Sequence, residues 1–156
     1  MMQADLISDF ELNATSGKQF RLSDIKSKYL VVFFYPKDDT PGCTNESQQF
    51  RDLYPEFVQM DCEVVGVSRD NLKSHEKFKE KYSLPYDLLS DADEVVCELF
   101  DVIKMKNMYG KQVRGIERST FILDRTGKLY KMWRGVKVPG HAEEVLSFIR
   151  TCSASH

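Results

Sequence analysis

Leu30-Val31-Val32-Phe33-Phe34-Tyr35 runs directly into Pro36-Lys37-Asp38-Asp39-Thr40-Pro41-Gly42-Cys43-Thr44, and the junction between the two stretches decides the reading. A continuous apolar run rich in β-branched and aromatic residues describes a strand buried on both faces. Beyond Cys43, Phe50, Leu53, Tyr54 and Phe57 fall at i, i+3, i+4 and i+7, one face of a helix. Pro55 is expected to kink or end that helix. Cys43 therefore sits where a strand hands over to a helix N-terminus, and unpaired backbone N–H groups with the positive end of the helix dipole favour thiolate over thiol there. A thiolate is a nucleophile, so the position points to thiol redox chemistry. Free cysteines are usually inert core residues; the Thr40-Pro41-Gly42 turn argues otherwise, because it presents the sulfur at the junction.

Working outward, Phe10-Glu11-Leu12 and Gln19-Phe20-Arg21-Leu22 read as a hairpin turned at Ser16-Gly17, followed by a short helical turn at Ser23-Asp24-Ile25. Glu63-Val64-Val65-Gly66-Val67-Ser68 is a second central strand, which makes 30–68 a β-α-β unit with a right-handed crossover. Helices are expected over 71–82 and 93–103, with Leu88-Leu89 a short strand between them. Ser119-Thr120-Phe121-Ile122-Leu123 and Lys128-Leu129-Tyr130-Lys131-Met132-Trp133 flank the turn signal Asp124-Arg125-Thr126-Gly127. Ala142, Val145, Leu146 and Ile149 mark a C-terminal amphipathic helix. The order gives an α/β chain of thioredoxin-like arrangement: a mixed central sheet, helices on both faces and an N-terminal β-hairpin.

The chain has 156 residues, no repeat and no linker-like composition shift, and reads as one domain over 1–156. A net charge of −2 gives no electrostatic reason to expect nucleic acid or a membrane surface. No apolar stretch approaches the roughly 20 residues of a membrane-spanning helix. Met1-Met2-Gln3-Ala4-Asp5-Leu6 has neither the basic nor the apolar region of a signal peptide, so a cytoplasmic setting is expected. Cys43, Cys62, Cys97 and Cys152 form no C-x-x-C, and His75, His141 and His156 lack ligand spacing with them. Neither a metal nor a cofactor is expected, and the thiols read as free in a reducing compartment.

Pro36, Thr40 and Cys43 stand in the spacing P-x-x-x-T-x-x-C, joined by Gly42, Thr44 and a downstream Arg118-Ser119-Thr120-Phe121. This resembles the active-site loop of peroxiredoxins, and the fuller string YPKDDTPGCTNES is similar to the peroxiredoxin Q, or bacterioferritin comigratory protein, branch. The resemblance covers nearly the whole chain. It implies a thiol-dependent peroxidase, often monomeric, acting on hydrogen peroxide and small organic hydroperoxides. Cys43 would be the nucleophile that becomes a sulfenic acid, and Thr40 would hold a peroxide oxygen and the sulfur. Arg118 would offer fixed N–H donors to both, and Pro36 would shield the pocket.

Relatives carry a resolving cysteine five residues after the first, where this chain has Gln48, or in the helix after the second central strand, where it has none. Cys62 reads as a core or edge residue of a strand entry. Cys97, beside the apolar stripe of its helix and part-exposed, and Cys152, in a frayed tail, are the candidates for a resolving role. The preferred expectation is one-cysteine behaviour, the sulfenic acid being reduced by thioredoxin, glutaredoxin or glutathione. Two other functions stand beside it. A thioredoxin-type dithiol exchange lacks its second thiol, since Glu46 stands where a C-x-x-C would close. A redox-sensing or chaperone-like module would use Cys43 without sustained turnover.

The remaining polar and apolar features have plainer readings. Glu46 complements the helix dipole and helps cap the turn, with a part in shaping the active site as the alternative, and Lys37, Asp38 and Asp39 are solvated loop charges, with bordering the pocket as the alternative. Met105, Met108 and Tyr109 pack within an irregular loop, Trp133 is core, and His75 and His141 are surface or capping residues.

Overall fold

The computed structural model describes residues 6–154. The first five residues, read as lacking a leader, and His156 lie outside the described residues. In chain order the elements are β1 (Glu11–Ala14), β2 (Gln19–Arg21), β3 (Tyr29–Phe34), α1 (Pro41–Gln59), β4 (Cys62–Ser68), α2 (Leu72–Lys81) and β5 (Leu88–Ser90). They continue with α3 (Val95–Leu99), β6 (Ile103–Met108), β7 (Lys111–Ile116), β8 (Ser119–Leu123), β9 (Leu129–Arg134) and α4 (His141–Ala154).

Seven strands form one sheet in the order β2-β1-β5-β4-β3-β8-β9. β3, β4 and β5 are parallel, and β1, β2, β8 and β9 add antiparallel edges. β3 lies between β4 and β8 with every residue buried, which is why its sequence is unbroken by polar residues. Alternate side chains feed two cores. Tyr29, Val31 and Phe33 pack with residues of α1, α2 and α4 on one face, whereas Leu30, Val32 and Phe34 pack with Phe10, Leu22, α3 and Phe121 on the other.

On the first face, the Phe33 ring stacks on Phe50 of α1 at 4.6 Å. Gly66, opposite Phe33 in the ladder, leaves room for this ring: a Cβ there would come within 2.9 Å of Phe33 and 3.0 Å of Leu88. Cys43, Phe50 and Phe57 repeat every seven residues, two helical turns, so seating the two phenylalanines on the sheet turns Cys43 toward it as well.

Three expectations are corrected. α1 runs through Pro55 to Gln59; Pro55 is exposed, so the carbonyl that loses its donor faces the solvent side, and the packing of Phe50 and Phe57 carries the helix across. The helix expected over 93–103 is only Val95–Leu99. Glu94 and Asp101 adopt left-handed backbone at its two ends, and the apolar stripe continues as a turn into β6. Met105, Met108 and Tyr109 are neither irregular nor packed. They lie on a two-stranded ribbon, β6–β7, turned at Tyr109-Gly110 with positive φ at both residues, and all three are exposed. Trp133 is half-buried, edge-on to His141 and Phe148.

Candidate active site

Thr40 caps α1 with extended backbone, Pro41 occupies the first turn, and Cys43 follows within that turn. Pro is tolerated there because its missing N–H would be unpaired anyway. Cys43 is 1% exposed, closed off from bulk water. Arg118, from the segment joining β7 and β8, reaches across so that Nη2 lies 3.4 Å from Cys43 Sγ. Its Nη1 donates to Glu46 Oε1 at 2.7 Å. Gly42 makes this approach possible, since a Cβ there would stand 3.1 Å from Arg118 Nη2.

The structure thus brings together Cys43, Arg118 and a residue the sequence reading left aside. Glu46 is 1% exposed and is the carboxylate that orients the guanidinium, not a solvated partner of the helix dipole. Its other oxygen has no protein partner among the described residues. Thr40 Oγ1 donates to the Lys37 carbonyl at 2.9 Å; with its proton committed to the loop, its lone pairs are what it offers a peroxide O–H. Pro36 is half-buried at the start of the loop. Burial opposes the Arg118 charge, but Glu46 and Cys43 outweigh it and raise its pKa further.

Burial pushes the Glu46 carboxyl from 4.5 up to about 7 against the opposing pull of Arg118. The folded protein therefore takes up a proton between pH 4.5 and about 7 that the unfolded chain does not. Stability contributed by this group rises as pH falls across that window and is lowest above it, by up to about 3 kcal/mol for a shift of this size. Glu46→Gln removes the titration. Urea unfolding of wild type and variant should give a stability difference that slopes between pH 4.5 and 7 and is level above it; a flat difference throughout contradicts the assignment. His141, lowered by burial against the pull of Glu144, slopes the other way but is common to both proteins and cancels.

Both histidines read as surface or capping residues are buried. His141, 3% exposed, opens α4 with Nε2 2.8 Å from Thr120 Oγ1 and packs edge-on against Phe50. His75 is fully buried beside Asp38. Asp38, read as a solvated loop charge, is 7% exposed and accepts from the hydroxyls of Tyr35 and Ser74. Only the pattern of a loop acid with a histidine on a following helix was available to signal this, and it is common without meaning. Asp38, Asp70 and His75 bring ligand-type atoms within 4.8 Å of one another, but Ser68, Ser74, the Asp38 amide and the Leu89 carbonyl already engage them.

The two resolving candidates are not beside the site. Cys97 is fully buried rather than part-exposed, in the core on the opposite face of the sheet from Cys43. Burial, then Asp91, pushes its thiol pKa far up. Cys152 lies in α4, half-buried against the first core rather than in a frayed tail. Cys62 is a buried residue of β4, as expected.

The AhpC/TSA family pattern matches residues 4–132. Peroxiredoxin Bcp of Xanthomonas campestris is 50% identical over 142 residues, 91% of this chain and 89% of that protein. Peroxiredoxin Bcp of Bacillus subtilis is 48% identical over 145 residues, 93% and 92% of the two chains. The chain belongs to the AhpC/TSA family, in its peroxiredoxin Bcp/Q branch. A structure of the Xanthomonas campestris bacterioferritin comigratory protein, studied for its alkyl peroxide reduction with trapped intermediate and ligand complexes, superposes on this peroxiredoxin with a TM-score of 0.87. It is 48% identical, with 92% of each chain covered. The thioredoxin-like fold expected from the sequence is the fold of this peroxiredoxin, with an N-terminal strand pair and the mixed sheet in place.

Proposed function

We infer that this peroxiredoxin is a thiol-dependent peroxidase that reduces hydrogen peroxide and small organic hydroperoxides at Cys43. The single observation that carries the site assignment is the guanidinium of Arg118 at 3.4 Å from a sulfur in the first turn of a helix. The Cys43 thiolate attacks the terminal peroxide oxygen; the S–O bond forms as the O–O bond breaks, and the departing alkoxide or hydroxide takes a proton and leaves as alcohol or water. Arg118 N–H groups face the charge as it moves from sulfur to the leaving oxygen, and Glu46 fixes their direction. Thr40 accepts from the peroxide O–H, and Pro36 covers the pocket. The sulfenic acid then condenses with an external thiol, releasing water and leaving a mixed disulfide. A second thiol displaces Cys43 from that disulfide.

Thioredoxin, glutaredoxin and glutathione are the donor classes this reading admits. A reducing, cytoplasmic setting fits the four free cysteines; among the described residues no helix is long and apolar enough to cross a membrane. The test is peroxide consumption by wild type and Cys43→Ser with the thioredoxin and glutathione systems supplied in turn. Many equivalents per chain are expected from wild type with at least one donor, and none above background from the variant. Consumption of about one equivalent with every donor would instead make Cys43 a sensor.

A further inference from the structure

The loop between β3 and α1 is held by a polar cluster that the chemistry at Cys43 does not use. Asp38 Oδ1 accepts from the Tyr35 hydroxyl at 2.6 Å. Its Oδ2 accepts from the Ser74 hydroxyl at 2.7 Å and lies 2.7 Å from His75 Nδ1. The Asp38 amide donates to Asp70 Oδ2 at 2.9 Å, and that oxygen is held in turn by the Ser68 hydroxyl at 2.6 Å. The other ring nitrogen of His75, Nε2, lies 2.9 Å from the Leu89 carbonyl, which can only accept. Nε2 therefore carries a proton. The 2.7 Å contact between Nδ1 and Asp38 Oδ2 closes through one shared hydrogen bond. His75 and Asp38 thus form a buried hydrogen-bonded pair, tied at once to Tyr35 after β3, to Asp70 after β4, to Ser74 of α2 and to Leu89 of β5.

One residue later the character of the chain changes. Asp39 has left-handed backbone (φ 58°), and its carboxylate is held by Lys81 and Tyr82 in exposed contacts only. Thr40, Pro41, Gly42 and Cys43 follow. Since Cys43 is 1% exposed, no thiol donor touches the sulfur until this first turn of α1 lifts. Asp38 is the last residue of the loop with buried anchors, and the side-chain bonds of Asp39 and Thr40 beyond it are exposed ones.

We propose that His75 and Asp38 are positioning residues for Cys43: their pair fixes the loop at Asp38, so that 39–43 closes over peroxide and opens to the donor about that point. The proposal rests on the reading of Cys43 as the peroxide-reducing sulfur. Loss of the pair lowers the population of the closed arrangement and raises that of the open one, so two rates move in opposite directions.

The test uses full-length His75→Asn and Asp38→Asn, with stopped-flow peroxide kinetics and iodoacetamide labelling of the reduced protein resolved by peptide mass spectrometry. Peroxide reaction should slow about fivefold to tenfold, and Cys43 labelling should speed up by a similar factor. Cys62 and Cys97, buried elsewhere, should label as slowly as in wild type. Unchanged rates in folded variants overturn the proposal, as does labelling of Cys62 and Cys97 that rises in step with Cys43, the mark of a general loosening. Should both pair variants fail to fold, Ser74→Ala removes one donor to Asp38 without stranding a charge and should show the same opposed changes at about twofold. Failure of the underlying reading looks different, because Cys43→Ser would then keep its peroxide consumption.

Discussion

Arg118→Lys should lower the second-order rate of peroxide reduction by about two orders of magnitude, even at a pH where a thiol ionises unaided. An ordinary thiol with pKa about 8.5 is already roughly 3% ionised at pH 7, so complete ionisation gains only about 30-fold. Lowering the pKa also blunts the nucleophile. Further acceleration has to come from aligning the O–O bond and meeting the charge on the departing oxygen. Arg118 is built for this: one nitrogen donates to Glu46 at 2.7 Å while the other faces Cys43 at 3.4 Å. Lysine keeps the charge but has a single nitrogen, and Glu46, almost fully buried, would compete for it. Removing one preorganised donor to a developing oxyanion typically costs about 10²–10³ in rate. Stopped-flow traces at pH 9.5, about one unit above the pKa of an ordinary thiol, measure the effect. Wild-type speed in the variant would mean that Arg118 acts only by ionising the sulfur.

What the sequence made legible follows from how local each signal is. β3 declares itself because a strand covered on both faces admits no polar residue, and α1 because Phe50, Leu53, Tyr54 and Phe57 repeat on one face. Arg118 was reachable only through the resemblance, since nothing within seventy-odd residues of Cys43 implies that contact. Glu46 and Asp38 were misread for one common reason: a carboxylate is expected in water until its partner is known, and both partners, Arg118 and His75, come from distant segments. The β6–β7 ribbon was missed because its turn is Tyr109-Gly110 rather than Asn-Gly, and because Met105 and Met108 look like core while standing in solvent. The short α3 was overextended because Val96, Leu99, Phe100 and Ile103 fall at helical spacing although the backbone turns at Asp101.

Peroxide-treated protein, given no donor, should carry one added oxygen at Cys43 and no bond from Cys43 to Cys97 or Cys152, and turnover should stop after about one equivalent. Cys97 lies across the sheet from Cys43. Faces of a packed sheet stand about 10 Å from their neighbouring layers, whereas a disulfide needs Cα atoms within about 7 Å. Cys97 is also locked in place, its amide donating to Asp91 Oδ2 at 2.6 Å. Cys152 shares the Cys43 side of the sheet, but at the wrong end. His141 meets Phe50 at the middle of α1, and Arg150 pairs with Glu56 near its end, so α4 runs alongside α1 in the same direction. Thirteen residues of helix separate Cys43 from Glu56, about 20 Å at 1.5 Å per residue, and Cys152 stands beyond Arg150. The proposed opening of the first turn of α1 would carry Cys43 toward solvent, not down this length. On the proposed reading resolution falls to a thiol from outside the chain, and a Cys97→Ser, Cys152→Ser double variant should turn over at the wild-type rate once that donor is supplied. Mass spectrometry of the oxidised protein under non-reducing conditions decides the matter: a peptide pair joined through Cys43 and either cysteine would show that the chain rearranges far more than its closed form implies.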